Sequence, residues 1–374
     1  MKHTIYALTM FALAACTPPK EKAIDRHALV TRNNPEVTAM DSLSSLSVGN
    51  GEFAYTVDAT GLQTFPEVYK NGVPLGTQSQ WGWHSFGNPE NYKPEEALVE
   101  YDFGHGHKEL YATQPKEPGR AKEASDWYRV NPHRLHLGII GLELGNEVRP
   151  SDVQNIQQSL DMWNGIINSR FTLKETPYYI QTVCHPERDM IAARLSARQP
   201  ASIKFHFPYP TGGHCDDACN WEANDKHSTT LISEDAQSAV LKRTLDATTY
   251  YVTISWEGPA KLSEKSANYF VLTPTDSIFT FTCQFTPQVS ASPILTFTEV
   301  QQVSSGHWKN YWTQGAVADF SQCTDVRAKE LERRVVLSQY LLAIQCAGST
   351  PPQETGLTYN SWFCLLYTSD AADE

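Results

Sequence analysis

The chain has 374 residues, of which 19% are charged and 11% aromatic, and its formal net charge is −12. That acidic balance argues against a nucleic-acid partner, because non-specific binding to a phosphate backbone rests on Lys and Arg. The length allows two domains, and nine Trp with seventeen Tyr suit a carbohydrate binder and a β-sandwich core alike.

The N-terminus begins Met1-Lys2-His3, continues with an apolar run over residues 5–15, and reaches Leu13-Ala14-Ala15-Cys16. A basic start, a short apolar run and small residues before a cleavage point read as a secretory signal. The run is too short to span a bilayer. Leu-Ala-Ala-Cys resembles a bacterial lipobox, in which the Cys becomes the lipidated first residue; the alternative is an ordinary signal peptide that contains a Cys. With Thr17-Pro18-Pro19-Lys20-Glu21-Lys22 behind it as a polar tether, residues 1–16 are expected as signal peptide and 17–38 as tether. The expected product is exported and lipid-anchored through Cys16 to the outer membrane, on its periplasmic or cell-surface side.

Residues 39–288 read as β-sandwich. Leu46-Ser47-Val48 and Phe53-Ala54-Tyr55-Thr56-Val57 flank Gly49-Asn50-Gly51, a hairpin signal. Asn71-Gly72 signals a second turn. Residues 135–144 alternate through Leu135, Leu137, Ile139 and Leu142, and further short runs follow to Phe285. A dozen or so short strands with regular turns predict a large sandwich. Residues 151–163 fit a turn of helix or another strand.

Six cysteines lie between Cys16 and the last residues: Cys184, Cys215, Cys219, Cys283, Cys323 and Cys346. An exported protein can pair them, but connectivity does not follow from sequence. His214, Cys215, Asp216, Asp217, Cys219 and His227 include metal-ligand types, yet their spacing matches no zinc signature. They are read as loop, with no metal and no cofactor expected. Gly104-His105-Gly106-His107 is read as a turn. There is no G-x-S-x-G elbow, P-loop or G-x-G-x-x-G. Trp81-Gly82-Trp83-His84 has two readings, a loop projecting toward a site or core packing.

Residues 289–325 are predicted as a linker, with 293–299 a linker or a short connecting helix, and 326–363 as the first helices of an α-domain. Val326, Leu331, Val335, Ser338, Leu342 and Cys346 share one helical face, which Val336, Tyr340 and Ile344 widen, with Glu330, Glu332, Arg333 and Arg334 opposite. Asp325 suits the helix dipole and Gly348 a C-cap, and Pro351-Pro352 stop the helix. Such a face needs partner helices. Just upstream, His307-Trp308-Lys309-Asn310-Tyr311-Trp312 is either a sugar-stacking platform or glue between the β-domain and the first helix. On the first reading Trp308, Trp312 and Trp362 are substrate-binding residues.

Two strings carry a family resemblance: Trp163-Asn164-Gly165-Ile166-Ile167-Asn168-Ser169-Arg170-Phe171, and Val183-Cys184-His185-Pro186-Glu187-Arg188-Asp189-Met190-Ile191-Ala192. They resemble successive segments of the sandwich domain in inverting six-hairpin glycosidases. The organisation of residues 25–363 is most similar to glycoside hydrolase family 65-like lipoproteins of Bacteroidetes polysaccharide-utilisation systems. The resemblance implies an N-terminal β-supersandwich, a helical linker and an (α/α)6 barrel, here cut off at its start. It also implies glycoside hydrolysis or phosphorolysis by barrel carboxylates. Inversion needs an acid and a base about 6.5–9.5 Å apart. No catalytic residue is matched, and the acid is expected beyond Phe363; Glu354 is not assigned to the role. From Cys364 the string resembles a translated sequencing adapter, so residues 364–374 are expected to be non-native and the chain a fragment; the alternative is a genuine short tail. The competing function is a non-catalytic carbohydrate-binding surface lipoprotein.

Overall fold

The computed structural model describes residues 23–145, 147–213, 216–351 and 356–358. Among these, the largest element is an antiparallel nine-stranded sheet. Its order is Glu36–Val37, Val153–Asp161, Ile166–Leu173, Thr176–Cys184, Met190–Ala197, Ile278–Thr286, Thr248–Glu257, Ser238–Leu245 and His227–Glu234. The period of two in the sequence decides which side chain faces which way. In Ile166–Leu173, Ile167, Ser169, Phe171 and Leu173 point into the sandwich, while Asn168, Arg170 and Thr172 point out.

The second layer is made of two smaller sheets. One is four-stranded, Ala260–Ser266, Tyr269–Pro274, Ile203–His206 and Ile139–Leu142; the other is three-stranded, Leu46–Gly49, Phe53–Val57 and Thr77–Ser79. A loop over 58–65 stitches them together. Gln63 donates its N–H to the Ile140 carbonyl (2.8 Å), accepts the Ile140 N–H on Oε1 (3.0 Å), and donates from Nε2 to the Thr56 carbonyl (3.0 Å). A Cβ on Gly141 would collide with the Gln63 carbonyl, so only glycine permits this approach. Across the layers Phe53 stacks on Phe285 (5.8 Å) and Phe205 meets Phe281 (6.0 Å), closing one continuous apolar core.

Five α-helices are described: α1 (Arg26–Thr31), α2 (Pro66–Tyr69), α3 (Arg120–Val130), α4 (Phe297–Thr313) and α5 (Ala328–Gln345). Two of them correct the sequence reading. Residues 26–37, expected within the tether, form α1 and an edge strand. Helix α3 interrupts a region read as β-sandwich. Helix α4 is the helix expected in the linker, and its start is legible. Thr296 Oγ1 accepts the Glu299 N–H (3.3 Å) and Glu299 Oε2 accepts the Thr296 N–H (2.7 Å), a reciprocal capping box. The open stretch 151–163 is mostly strand, Val153–Asp161.

Helix α4 lies on the outer face of the large sheet, with Phe297 and Val300 over Ile166, Val183, Met190 and Ala192. Helix α5 buries Ala328, Glu332, Val336, Tyr340 and Ile344, a row at four-residue spacing. The expected face is therefore rotated: Leu331 and Leu342 are 52% and 58% exposed, and Glu332, placed on the charged side, is 4% exposed. The reason is a partner outside the helix. Arg32 donates to both Glu332 oxygens (2.9 and 2.8 Å), Asn33 Nδ2 to Oε1 (2.9 Å) and the Phe320 N–H to Oε2 (2.7 Å). Four donors satisfy the carboxylate, and the hydrogen bond from Arg32, first among these contacts, holds its pKa below the usual range.

Candidate functional site

The aromatic run His307–Trp312 sits on the last turns of α4. Trp308 is 3% and Trp312 6% exposed. Trp308 stacks on Tyr340 of α5 (4.6 Å), and its indole fills the space that a Cβ on Gly165 would need. Trp312 Nε1 donates to the Met162 carbonyl (2.7 Å), Tyr311 OH to the Gln339 carbonyl (2.8 Å), and Tyr340 OH to the Ser47 carbonyl (3.1 Å). These rings join α4, α5 and both layers of the sandwich. The assignment of Trp308 and Trp312 to substrate binding is corrected on this ground, since a ring packed inside the fold offers no face to a sugar. Trp362 lies outside the described residues, as do Cys16, His214, Cys215, Glu354 and Asn360.

A different tryptophan pair stands at one end of the sandwich. Strand Thr77–Ser79 ends in a tight loop in which the Gly82 N–H donates to the Ser79 carbonyl (3.0 Å) and the Trp83 N–H to the Trp81 carbonyl (2.8 Å). The chain then pairs Trp83 with Arg134 and His84 with His133. Trp83 is 42% exposed. The Arg134 guanidinium lies 4.5 Å from its ring centroid, donates to the Ser79 carbonyl (2.7 Å), and reaches Gln80 Oε1 (3.4 Å). A cation on one face fixes the indole while a large part of it stays open to solvent.

Trp81 is half-buried and donates from Nε1 to Asp189 Oδ2 (2.6 Å), the oxygen that also takes the Ser79 hydroxyl. Asp189 sits in the turn before strand Met190–Ala197. Burial pushes its carboxyl up to about 6, against the pull of those two hydrogen bonds, and the charge of Glu52 adds to the rise. Gln80 Nε2 donates to the Thr350 carbonyl (3.1 Å), and Glu52 accepts the Ser349 N–H. The chain leaving α5 therefore lands on this end of the sandwich. A partly exposed indole is suited to a polyol with an apolar face.

Behind it lies a layer that is fully committed to the fold. Arg243 is 0% exposed. Its five N–H donors meet Tyr250 OH (3.4 Å), Thr229 Oγ1 (2.7 Å), Asn268 Oδ1 (2.9 Å), the Pro208 carbonyl (3.1 Å) and His227 Nδ1 (2.7 Å). All five acceptors are neutral, and His227 accepts only if unprotonated. Burial pushes His133, His136, His206 and His227 down to about 4.

The remaining expectations fall into loops. Gly104-His105-Gly106-His107 is the tip of a hairpin between Leu98–Asp102 and Lys108–Ala112. Asp216 Oδ1 accepts the Ala218 N–H (2.8 Å), and Asp217 Oδ2 takes the Trp221 indole N–H (3.1 Å). Among the described residues, no three His, Cys, Asp or Glu are grouped to hold a metal. Cys184, Cys219 and Cys283 are buried and Cys323 and Cys346 exposed, all as free thiols. Sequence reasoning missed Glu52, Gln80, Arg134 and Asp189. Only Trp81-Gly82-Trp83-His84 stood out, because two tryptophans flanking a glycine make a visible string.

No family model matches the chain, and no curated protein matches it in sequence. Among solved structures it is similar to a protein from the human microbiome named as a kojibiose phosphorylase, at 9% identity and a TM-score of 0.44, over 82% of this chain and 40% of that one. It is similar to a bacterial glucoamylase complexed with acarbose, at 10% identity and a TM-score of 0.39, over 83% of this chain and 42% of that one. It is also similar to a GH92 alpha-mannosidase from Bacteroides thetaiotaomicron, at 9% identity and a TM-score of 0.35, over 85% of this chain and 41% of that one. The chain thus spans about two fifths of the length of these proteins.

Proposed function

We propose that this chain is the N-terminal part of an exported glycoside hydrolase, or of a phosphorylase, acting on an oligo- or polysaccharide. The observation that carries the reading is Trp83, an indole held from one side by Arg134 and 42% exposed, at the end of the sandwich where the chain leaving α5 arrives. The family resemblance of the strings at 163–171 and 183–192 supports the same class. In this reading the sugar's apolar face lies on Trp83. The acid that protonates the leaving oxygen, and the base or phosphate site opposite it, belong to residues beyond Phe363. Asp189 is a positioning residue: its Oδ2 is occupied by Ser79 and Trp81, so it orients the indole loop. The anchor at Cys16, exposure at the outer membrane and the absence of a nucleic-acid partner belong to the same proposal.

The test begins with the source DNA read through the codon of Phe363. The protein translated from the continuous frame is then assayed on neutral oligosaccharides with and without inorganic phosphate. The expected result is turnover, with a KM raised at least tenfold by Trp83→Ala in a folded protein. The 374-residue chain itself is expected to turn over none of them, and turnover by it overturns the assignment of the catalysts beyond Phe363. Unchanged kinetics in Trp83→Ala overturn the site. If the frame ends near Glu374 and the chain still binds glycans, a non-catalytic carbohydrate-binding lipoprotein is the correct account.

A further inference from the structure

The outer face of the large sheet carries a second arrangement of polar side chains. Ser159, Asn168 and Gln181 lie directly opposite one another on three adjacent strands, and Arg170 and Tyr179 form the next cross-strand pair. Side chains two residues apart on a strand share a face, so these five form one polar surface beside α4.

The hydrogen bonds within it fix an amide. Tyr179 OH and Gln181 Nε2 both donate to Asn168 Oδ1, each at 2.9 Å. With Oδ1 taken by these two donors, the Asn168 Nδ2 protons are set outward. Gln181 is fixed by the same bond with its Oε1 turned away. Neither Asn168 Nδ2 nor Gln181 Oε1 takes part in a hydrogen bond among the described residues, and both side chains are half-buried. The result is a preset donor beside a preset acceptor.

Two open depressions meet at Asn168. One, of about 590 Å³, runs between the sheet and α4, where Gln301, Gln302 and Ser305 line its wall. The other, of about 550 Å³, runs toward the edge strand over Ser159, Arg170 and Tyr179. Charge is balanced along both, Lys309 against Asp161 in the first and Arg170 against Glu36 in the second.

We infer that this groove binds a neutral oligosaccharide at a site separate from the tryptophan loop. A vicinal diol presents one oxygen as acceptor and its neighbour as donor, the complement of the Asn168 and Gln181 amides. The Tyr179 ring, with the Arg170 guanidinium 5.1 Å from its centroid, gives the apolar contact beside them. Carboxamides and hydroxyls dominate, and no two basic groups converge, so a phosphate or sulfate finds no paired cations. The inference is independent of the proposed catalysis, because a groove that holds a polymer serves an enzyme and a binding protein alike.

The experiment is calorimetric titration of the 374-residue chain carrying Trp83→Ala, which silences the tryptophan loop. The probes are maltoheptaose, cellohexaose and mannohexaose, with a heparin hexasaccharide as the charged control. At least one neutral probe is expected to bind. Asn168→Asp keeps the oxygen that Tyr179 and Gln181 need but removes the outward donor; it is expected to weaken binding at least tenfold with an unchanged melting temperature. Gln181→Ala is expected to do the same. Lack of binding by all three neutral probes, tighter binding of the heparin hexasaccharide, or unaltered affinity in a folded Asn168→Asp chain overturns the groove. None of those results bears on the kinetics of Trp83→Ala by which the catalytic reading stands or falls.

Discussion

Two tryptophan pairs in this chain do opposite work. Trp308 and Trp312 are four residues apart on one helix, so both point the same way, and that way is inward. Trp81 and Trp83 are two residues apart in a loop, where Trp81 is held to Asp189 and Trp83 is left partly open over Arg134. In the sequence, the first pair sits in the denser aromatic run and looks more like a site. The difference teaches that ring density reports packing. Whether a ring stays partly exposed depends on neighbours distant in the chain.

Acid separates the two regions most strongly. His133, His136, His206 and His227, all in the layer behind the tryptophan loop, titrate near 4 in the folded chain against 6.5 when exposed. The unfolded chain therefore binds more protons between those values, so stability is complete above about pH 6.5 and falls as pH drops toward 4. Each histidine contributes about 1–2 kcal/mol to the loss. Asp189 and Asp58, raised by burial, act in the opposite sense. The junction holds longer, because the depressed pKa of Glu332 keeps its contribution until pH falls below 4.5. Thermal melts from pH 7.5 to 4 check the sum. Trp fluorescence of Trp83→Phe against Trp308→Phe shows which end opens first, and simultaneous opening breaks the comparison.

Truncating Trp308 to alanine removes a ring packed on Tyr340 and Gly165 and is expected to cost about 3–5 kcal/mol. Urea unfolding measures it, and a loss below 1 kcal/mol shows that the junction is not held by this ring. Glu332→Ala leaves Arg32, Asn33 and the Phe320 N–H without their acceptor, at a cost of about 3 kcal/mol. Because Arg32 is partly exposed and can turn to water, the effect should stay below that of Trp308→Ala. Gly165 combines a φ of +65° with a Cβ position occupied by Trp308, so Gly165→Ala is expected to cost about 2 kcal/mol. Trp83→Ala closes the series with a stability change within about 0.5 kcal/mol, as expected for a half-open surface ring. A larger loss in that variant makes Trp83 a packing residue like Trp308.

The order of the elements is legible in the sequence alone. Alternation over short runs gave the strands, Gly49-Asn50-Gly51 gave the first hairpin, and the periodicity after Val326 gave α5. Local patterns carry such elements because period two and period 3.6 are properties of neighbouring residues. The capping box at Thr296 is equally local and marks the start of α4, the helix of the linker.

The tertiary structure decided the rest. It decided which face of α5 is inside, since the burial of Glu332 depends on Arg32 and Asn33, some 300 positions earlier. It brought Trp83 to Arg134 and Trp81 to Asp189 across 51 and 108 positions. It also aligned Asn168 with Gln181 through the register of two strands. A sequence specifies the kinds of side chain and the period at which they recur. Whether an indole, a carboxylate or an amide is buried, held or left free depends on contacts between segments that no local pattern records.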